Sequence, residues 1–246
     1  MEKGIFAEKI KKYFYEFASI NLSDKQIDKF FLFMNYLLEQ NKLFNLTSIV
    51  DEEKVILKHF LDSVQLVNFI NKKNINTDKL KFVDIGTGAG FPGIPLSIVF
   101  DQSEFLLIES VNKKTEFLER TKKLIDTKNI SVINGRAEEI AHNDQYREKY
   151  DFVLSRAVAS MNILSEIMTG FAKNGGFICF YKLSNSEKEL SDSKNSLKTM
   201  NLKKVEEIDY ILPTEEIQKK IYIYSKTNSL DPKFPRRMSA IKNKPL

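Results

Sequence analysis

The sequence predicts an α/β fold, a Rossmann-like seven-stranded sheet with an N-terminal helical extension. Three observations predict it. Short apolar runs alternate with helical stretches from Leu80 to Tyr181, the pattern of a largely parallel, doubly wound sheet. The first run stops at a glycine-rich loop, Gly86-Thr87-Gly88-Ala89-Gly90. Ahead of it, roughly the first 75 residues carry helical periodicity only.

Residues 5–19 and 24–41 read as helices. In the second, Ile27, Phe30, Phe31, Met34, Leu37 and Leu38 recur at helical spacing, and Ser23 or Asp24 can cap its start. Asn45-Leu-Thr-Ser48 reads as an irregular turn. A third helix is expected over about 51–70, with Val55, Ile56, Phe60, Val64 and Val67 on its apolar side. The polar stretch 72–79 follows as a linker. Leu80 to Ile85 is the first strand, and Pro95 suits the first turn of the next helix. Phe105 to Ile108 is the second strand. A helix over 112–127 should bury Phe117, Leu118, Leu124 and Ile125. Further strands are expected at Ile130–Ile133, Tyr150–Leu154 and Phe177–Tyr181, the last two separated by a helix near 160–172 that Gly175-Gly176 stops. Val205–Leu212 and Ile221–Tyr224 add two strands with a hairpin-like connection. The expected organisation is a helical extension (1–75), a Rossmann-like domain (76–228) and a basic tail (229–246).

At 246 residues and 42% hydrophobic content, the chain can bury a sizeable core. Cys179 is its one cysteine, which excludes an intramolecular disulfide. No apolar signal segment or membrane-length run is read, so a cytoplasmic protein with no membrane association is expected. The net charge is +5, and residues 231–246 hold Lys233, Arg236, Arg237, Lys242 and Lys244 against Asp231 alone. Such a tail suits a polyanionic partner or is a solvated terminus.

The glycine loop follows the first strand, where open α/β sheets bind ligands. Its spacing is G-x-G-x-G, and the dinucleotide pattern would need glycine where Phe91 stands. Phe91 can pack on an adenosyl group. Asp84 would repel a pyrophosphate but suits a cofactor bearing sulfonium and ammonium charges. Glu109 ends the second strand, 19 residues after Gly90, and can accept hydrogen bonds from both ribose hydroxyls. Together these point to S-adenosylmethionine and a methyltransferase sheet. After the third strand, Gly135-Arg136-Ala137-Glu138-Glu139 lies beside the adenine in this topology, or is simply a helix N-terminus with favourable acids. Arg156 follows the fourth strand and meets cofactor or substrate, or forms a surface ion pair.

Several blocks of the chain resemble one family in order and spacing: Asn45-Leu-Thr-Ser48, Lys58-His59-Phe-Leu-Asp62-Ser63, Asp84-Ile-Gly-Thr-Gly-Ala-Gly-Phe-Pro-Gly-Ile-Pro95, Ser155-Arg-Ala157 and Lys244-Pro-Leu246. The chain resembles the bacterial small-subunit ribosomal RNA guanine-N7 methyltransferases, the glucose-inhibited division protein B family. The resemblance implies cofactor contacts at Gly86, Phe91, Ala137, Glu138 and Arg156, with Glu109 and Ser110 near the ribose. It implies as substrate a guanine in the decoding-region hairpin of 16S rRNA, met free or in the small ribosomal subunit; a monomer is expected. The tail departs from the family, which often has glycine and proline after Pro-Arg-Arg where this chain reads Met238-Ser239-Ala240.

Guanine N7 has a free lone pair at neutral pH, so no catalytic base is required and none is assigned. Cys179 lies in an apolar strand and reads as structural. His59 and His142 are the only histidines, so no metal is expected. His59 and Asp62, spaced i, i+3, read as residues that tie the helical part to the sheet or shape the active-site wall. Arg136, Lys182, Arg236 and Arg237 are the expected phosphate contacts. Two other readings stand beside this one: methylation of a protein or small molecule, and RNA binding without catalysis.

Overall fold

The computed structural model describes residues 1–156, 158–183 and 187–246; Ala157, which closes the Ser155–Ala157 motif, lies outside them. Among the described residues, seven strands form one sheet in the order β3-β2-β1-β4-β5-β7-β6. They are β1 (Lys81–Ile85), β2 (Glu104–Glu109), β3 (Ile130–Asn134), β4 (Tyr150–Arg156), β5 (Ala172–Leu183), β6 (Leu202–Ile211) and β7 (Gln218–Lys226). The first five are parallel, and β7 runs antiparallel between β5 and β6. The strand order reverses between β1 and β4, so the carboxyl ends of these parallel strands open a crevice there.

Side chains alternate across each strand, so each face carries its own core. On one face Phe82 stacks between its register partners Phe105 and Phe152, at 4.5 and 4.9 Å between ring centroids, and Phe152 meets Phe177. This aromatic row is covered by the N-terminal helices, α1 (Lys3–Ala18), α2 (Asp24–Asn41) and a broken run of α3 (Glu52–Val55), a π-helical stretch (Ile56–Leu61), α4 (Asp62–Val64) and α5 (Leu66–Lys72). Phe69 of α5 packs edge-on against Phe177. The helical residues and the sheet therefore share one hydrophobic core. Ser23 caps α2 in a reciprocal capping box with Gln26. α6 (Gly93–Val99) and α7 (Asn112–Leu124) complete this face.

The other face packs on α9 (Met161–Thr169) and α11 (Lys194–Thr199), with Val83, Ile85, Met168 and Leu197 in its core. α8 (Ala137–Ile140) and α10 (Glu187–Asp192) are short, and α12 (Met238–Asn243) ends the chain.

Three expectations are corrected. The third helix is interrupted by the π-helical stretch. Leu124 is 42% exposed, and α7 instead buries Phe117, Leu118 and Thr121, with Ile125 just beyond. The helix after β4 stops by Gly170, and Gly175 and Gly176 lie inside β5 beside a register shift in its pairing with β4.

The tail is not a frayed terminus. Leu230, Phe234 and Ile241 are buried on the second face. Arg147 donates to the carbonyls of Ala141, Phe234 and Leu230, and His142 Nε2 donates to the Pro235 carbonyl at 2.7 Å. No helix among the described residues is long and apolar enough to cross a membrane, and none of their His, Cys, Asp and Glu side chains form a group of three or more able to hold a metal.

Candidate active site

The glycine loop leaves β1 and folds back over its own carboxylate. Asp84 is 1% exposed; its Oδ2 accepts from Thr87 Oγ1 at 2.6 Å and from the Gly93 amide at 2.9 Å. A Cβ at Gly93 would lie 2.9 Å from that oxygen and 2.3 Å from Leu107, so glycine is required there. Gly90 has φ +94°, and a Cβ would meet Ile94 at 2.3 Å. The second carboxylate oxygen of Asp84, Oδ1, is buried without a hydrogen-bond partner. Burial pushes the Asp84 carboxyl up to about 6, against the bonds from Thr87 and Gly93.

Glu109 ends β2 beside this loop. Its Oε2 accepts from the Gly88 amide at 3.0 Å and its Oε1 from the Val111 amide at 2.9 Å. A carboxylate accepts about four hydrogen bonds, so roughly two acceptor positions remain for hydroxyls. The Glu109 carbonyl accepts from the Gly135 amide at 3.0 Å, which brings the loop after β3 alongside. Arg136 is the exposed N-cap of α8, with the half-buried Ala137 and the buried Glu138 next to it, and Ser110 is exposed. A Cβ added to Gly88 would meet nothing within 4 Å, so the loop faces open space. The open face at Gly88 and the Glu109 carboxylate, with the buried charge of Asp84 behind the loop, make a cradle that fits an adenosyl cofactor carrying a positive charge.

Beside the cradle is a cavity of about 1040 Å³. Four parts of the chain wall it: the π-helical stretch with Lys58, His59 and the adjoining Asp62; the ends of β4 and β5 with Arg156, Tyr181 and Lys182; the start of α9 and α10 with Asn162 and Glu189; and the β6–β7 hairpin with Tyr210 and Lys219. Val158 joins cradle to cavity, since it lines the cavity and a Cβ on Gly86 would touch it at 2.8 Å.

Arg156 is the centre of this wall. It donates to Asp62 Oδ2 at 2.7 Å and to the Lys58 carbonyl at 3.2 Å, and lies 5.0 Å from the centroid of the Phe91 ring. Its Nη2 is 3.2 Å from His59 Nδ1. A guanidinium only donates, so Nδ1 accepts and the proton of the neutral ring sits on Nε2, which donates to Thr47 Oγ1 at 2.7 Å. Burial, and then the Arg156 charge, push His59 down to about 3. Asp62 receives Tyr210 Oη at 2.9 Å and Lys219 Nζ at 3.1 Å on its other oxygen. Burial opposes its ionisation, but Arg156 and Lys219 outweigh that and hold it below the usual carboxylate range. The expected tie between helical part and sheet is thus His59 and Asp62 acting through Arg156.

Phe91 is more enclosed than expected. His59 stacks on it at 4.4 Å and Phe33 packs at 5.4 Å, leaving it 5% exposed, so packing on an adenosyl group is narrowed to its remaining edge. Lys182 donates to the Ala159 carbonyl at 2.7 Å and Glu189 at 2.5 Å, so it faces the cavity already paired. Arg236 is likewise already paired: its Nε and Nη2 donate to Glu166 at 2.9 and 2.7 Å, and Glu166 is wholly buried. Arg237 is exposed. Cys179 is buried in β5, and burial pushes its thiol far up, away from nucleophilic chemistry. Sequence reasoning did not single out Tyr181, Tyr210, Glu215 or Lys219. Tyr181 and Tyr210 read only as members of expected strands, and Glu215 and Lys219 fell in the connection between the last two.

Residues 26–215 match the family model described as rRNA small subunit methyltransferase G. The chain belongs to the rRNA small subunit methyltransferase G family. A family member from Acetivibrio thermocellus, a ribosomal RNA small subunit methyltransferase G, is 40% identical over 242 residues, covering 97% of each chain. The protein of the same name from Lysinibacillus sphaericus is 37% identical over 96% of each chain. Among solved structures, the YcgJ protein of Bacillus subtilis shares the sheet architecture, with a TM-score of 0.51 at 11% identity over 66% of this chain and 98% of that one. The family match spans α2, the cradle, Arg156 and the Tyr210 side of the hairpin, so it includes most of the cavity wall.

Proposed function

We propose that the chain transfers the methyl group of S-adenosylmethionine to N7 of a guanine in the decoding-region hairpin of 16S rRNA, acting as a monomer in the cytoplasm. The observation that carries this reading is the adjacency of cradle and cavity: a charge-complementary glycine loop lies, across Val158, beside a space of about 1040 Å³ whose wall holds Lys58, Arg156, Lys182, Lys188 and Lys219 against Asp62, Glu189 and Asp192.

Bound there, S-adenosylmethionine supplies an electrophilic methyl group on a cationic sulfur. Gly86 and Gly88 let the backbone approach it. Glu109, with Ser110 beside it, meets the ribose hydroxyls. Ala137 and Glu138 border the base, Asp84 faces the positive charge, and Arg156 with the Phe91 edge closes the side towards the acceptor. The task left to these residues is positioning, which for well-oriented reactants is worth about 7–11 kcal/mol of barrier.

Guanine N7 needs no deprotonation before it attacks. Two titratable groups of the cavity wall agree with such chemistry: His59 is neutral with Nδ1 facing Arg156, and both Asp62 oxygens accept charged or hydroxyl donors. Arg136 and Arg237, both exposed, supply phosphate contacts.

The test is methyl transfer from radiolabelled S-adenosylmethionine to small ribosomal subunits and to naked 16S rRNA, with the product mapped by reductive strand scission at N7-methylguanosine. Label at a single guanine is expected. Cofactor binding without label in either RNA overturns the substrate assignment; no cofactor binding overturns the whole reading.

A further inference from the structure

The connection between β6 and β7 puts one carboxylate between two lysines of the cavity wall. Glu215 lies in this turn, after Ile211 and before Gln218. Its Oε1 is 2.5 Å from Nζ of Lys58, and its Oε2 is 3.8 Å from Nζ of Lys219. Both lysines line the cavity. Lys58 has Glu215 as its one ion-pair partner among the described residues, whereas Lys219 also holds Asp62. The Glu215 side chain is 11% exposed, and its Oε2 is buried without a hydrogen-bond partner.

Glu215 is held less completely than Asp62 or Glu189. Asp62 accepts on both oxygens, and Glu189 Oε1 accepts from Lys182 and from the Met161 amide. Glu215 is largely desolvated with one oxygen unsatisfied, an arrangement that costs free energy unless something better replaces it. It also sits on a short turn whose next residues, Glu216 and Ile217, are exposed, so the carboxylate can return to water without unpacking a core.

We propose that Lys58 and Lys219 form a phosphate subsite for the RNA strand carrying the target guanine, and that Glu215 holds their charge until a phosphodiester displaces it. This rests on reading the cavity as the acceptor site. A phosphodiester carries one negative charge, as the carboxylate does, so the exchange leaves the charge of the wall unchanged. It offers two non-bridging oxygens to the two ammonium groups and releases a desolvated acid. The subsite joins the two cavity walls that come from the helical residues and from the hairpin, so a bound strand bridges them in place of Glu215.

Thermodynamics distinguishes this exchange from simple attraction. RNA binding releases the cations condensed on the phosphates in proportion to the phosphate charge that the protein neutralises. An ionised Glu215 displaced beside the strand offsets part of the lysines' charge and keeps the salt dependence shallow for the contacts made, whereas with Glu215 neutral the lysines' full charge counts.

The experiment measures affinity of the full-length protein for a fluorescein-labelled RNA hairpin of the decoding-region sequence, by anisotropy across a potassium chloride series. Glu215→Gln is expected to bind about three- to tenfold tighter at low salt and to steepen the log–log salt slope by about 1. Lys58→Gln is expected to bind about threefold or more weakly, with a slope shallower by a similar amount, and Lys58→Arg to stay near the parent. In the Lys58→Gln background most of the gain from Glu215→Gln should vanish. S-adenosylmethionine affinity, measured by calorimetry, checks that each variant is folded and should match the parent. Tighter binding with a steeper slope in Glu215→Gln supports the subsite. Unchanged or weaker binding in Glu215→Gln, or no effect of Lys58→Gln, means that Glu215 only braces the hairpin and overturns it. If the parent binds cofactor but neither the hairpin nor 16S rRNA, the acceptor reading itself fails and takes the subsite with it.

Discussion

Arg156 and Asp62 lie 94 residues apart in sequence and meet at 2.7 Å, both largely buried. The pair fastens the end of β4 to the start of α4, and Lys219 and Tyr210 add the hairpin to the same carboxylate. One side chain therefore joins three separate parts of the chain around the cavity.

Removing that carboxylate should destabilise the whole wall. Asp62→Ala leaves Arg156 and Lys219 without their shared anion, and breaking a buried pair this way costs about 3–5 kcal/mol. Asp62→Asn keeps an acceptor oxygen and should cost less. Urea denaturation of the three proteins at pH 7 checks this. Equal stabilities would mean the network contributes geometry without energy.

The two residues of this pair show how much the sequence disclosed. Both stand in short motifs read from the chain, and so do Asp84, Gly86 and Glu109, because backbone turns and strand ends constrain local sequence strongly. The strands were legible for the same reason: runs such as Phe82-Val83 and Leu106-Leu107 are buried on both faces. The π-helical stretch was not, since one extra residue per turn leaves the apolar spacing of 51–70 nearly helical. Nor were Tyr210, Glu215 and Lys219, which reach the site only through the pairing of β7 with β5. The pairing of Arg236 was not legible, because a cationic tail looks the same in sequence whether its arginines face solvent or a buried acid such as Glu166.

His59 should stay uncharged at pH values where most histidines are protonated. Its pKa is pushed down to about 3, first by burial and then by Arg156, whereas an unfolded chain titrates its imidazole near 6.5. Between about 6.5 and about 3 the unfolded state holds a proton that the native state lacks. Stability from this residue is therefore complete above pH 6.5 and falls as the pH drops, by up to about 1.4 kcal/mol per unit. His59→Gln can still accept from Arg156 and donate to Thr47, and it has no such proton. Its urea midpoint should decline less than the parent's from pH 6.5 to 4. Parallel declines, or an imidazole NMR titration near 6.5, would rule out the buried neutral ring.

Adjacent arginines of the tail should behave in opposite ways. Arg236→Ala leaves the wholly buried Glu166 without its counter-charge, holding only the residue-236 amide, and should cost about 3–5 kcal/mol, seen as a lower urea midpoint. Arg237 is exposed, and its loss should change stability by no more than about 0.5 kcal/mol. If it contacts a phosphate, Arg237→Ala should weaken RNA binding and reduce the salt slope by about 1. Similar stability losses in both variants would contradict the division of labour.

Asp84 should couple cofactor binding to pH. Burial pushes its carboxyl up to about 6; the bonds from Thr87 and Gly93 and the charge of Arg156 lower it, and Glu109 raises it further. On its own, the raised value means the native state holds a proton that the unfolded state has lost between about pH 4 and 6, so this residue's contribution to stability falls as the pH rises through that range. A cationic cofactor beside the unpartnered Oδ1 favours the carboxylate, so binding should expel the proton. Affinity for S-adenosylmethionine should then be level above pH 6 and fall as the pH drops below it, by up to about tenfold per unit. Calorimetry at pH 5 to 7.5, in two buffers of different ionisation enthalpy, reads both the affinity and the protons released. Asp84→Asn keeps the acceptor for Thr87 and Gly93 but carries no charge; it should bind more weakly at pH 7.5 and lose most of the pH dependence below 6. A parent protein whose affinity is flat from pH 5 to 7.5, with no buffer dependence of the heat, would mean that Asp84 holds the loop and does not sense the cofactor's charge.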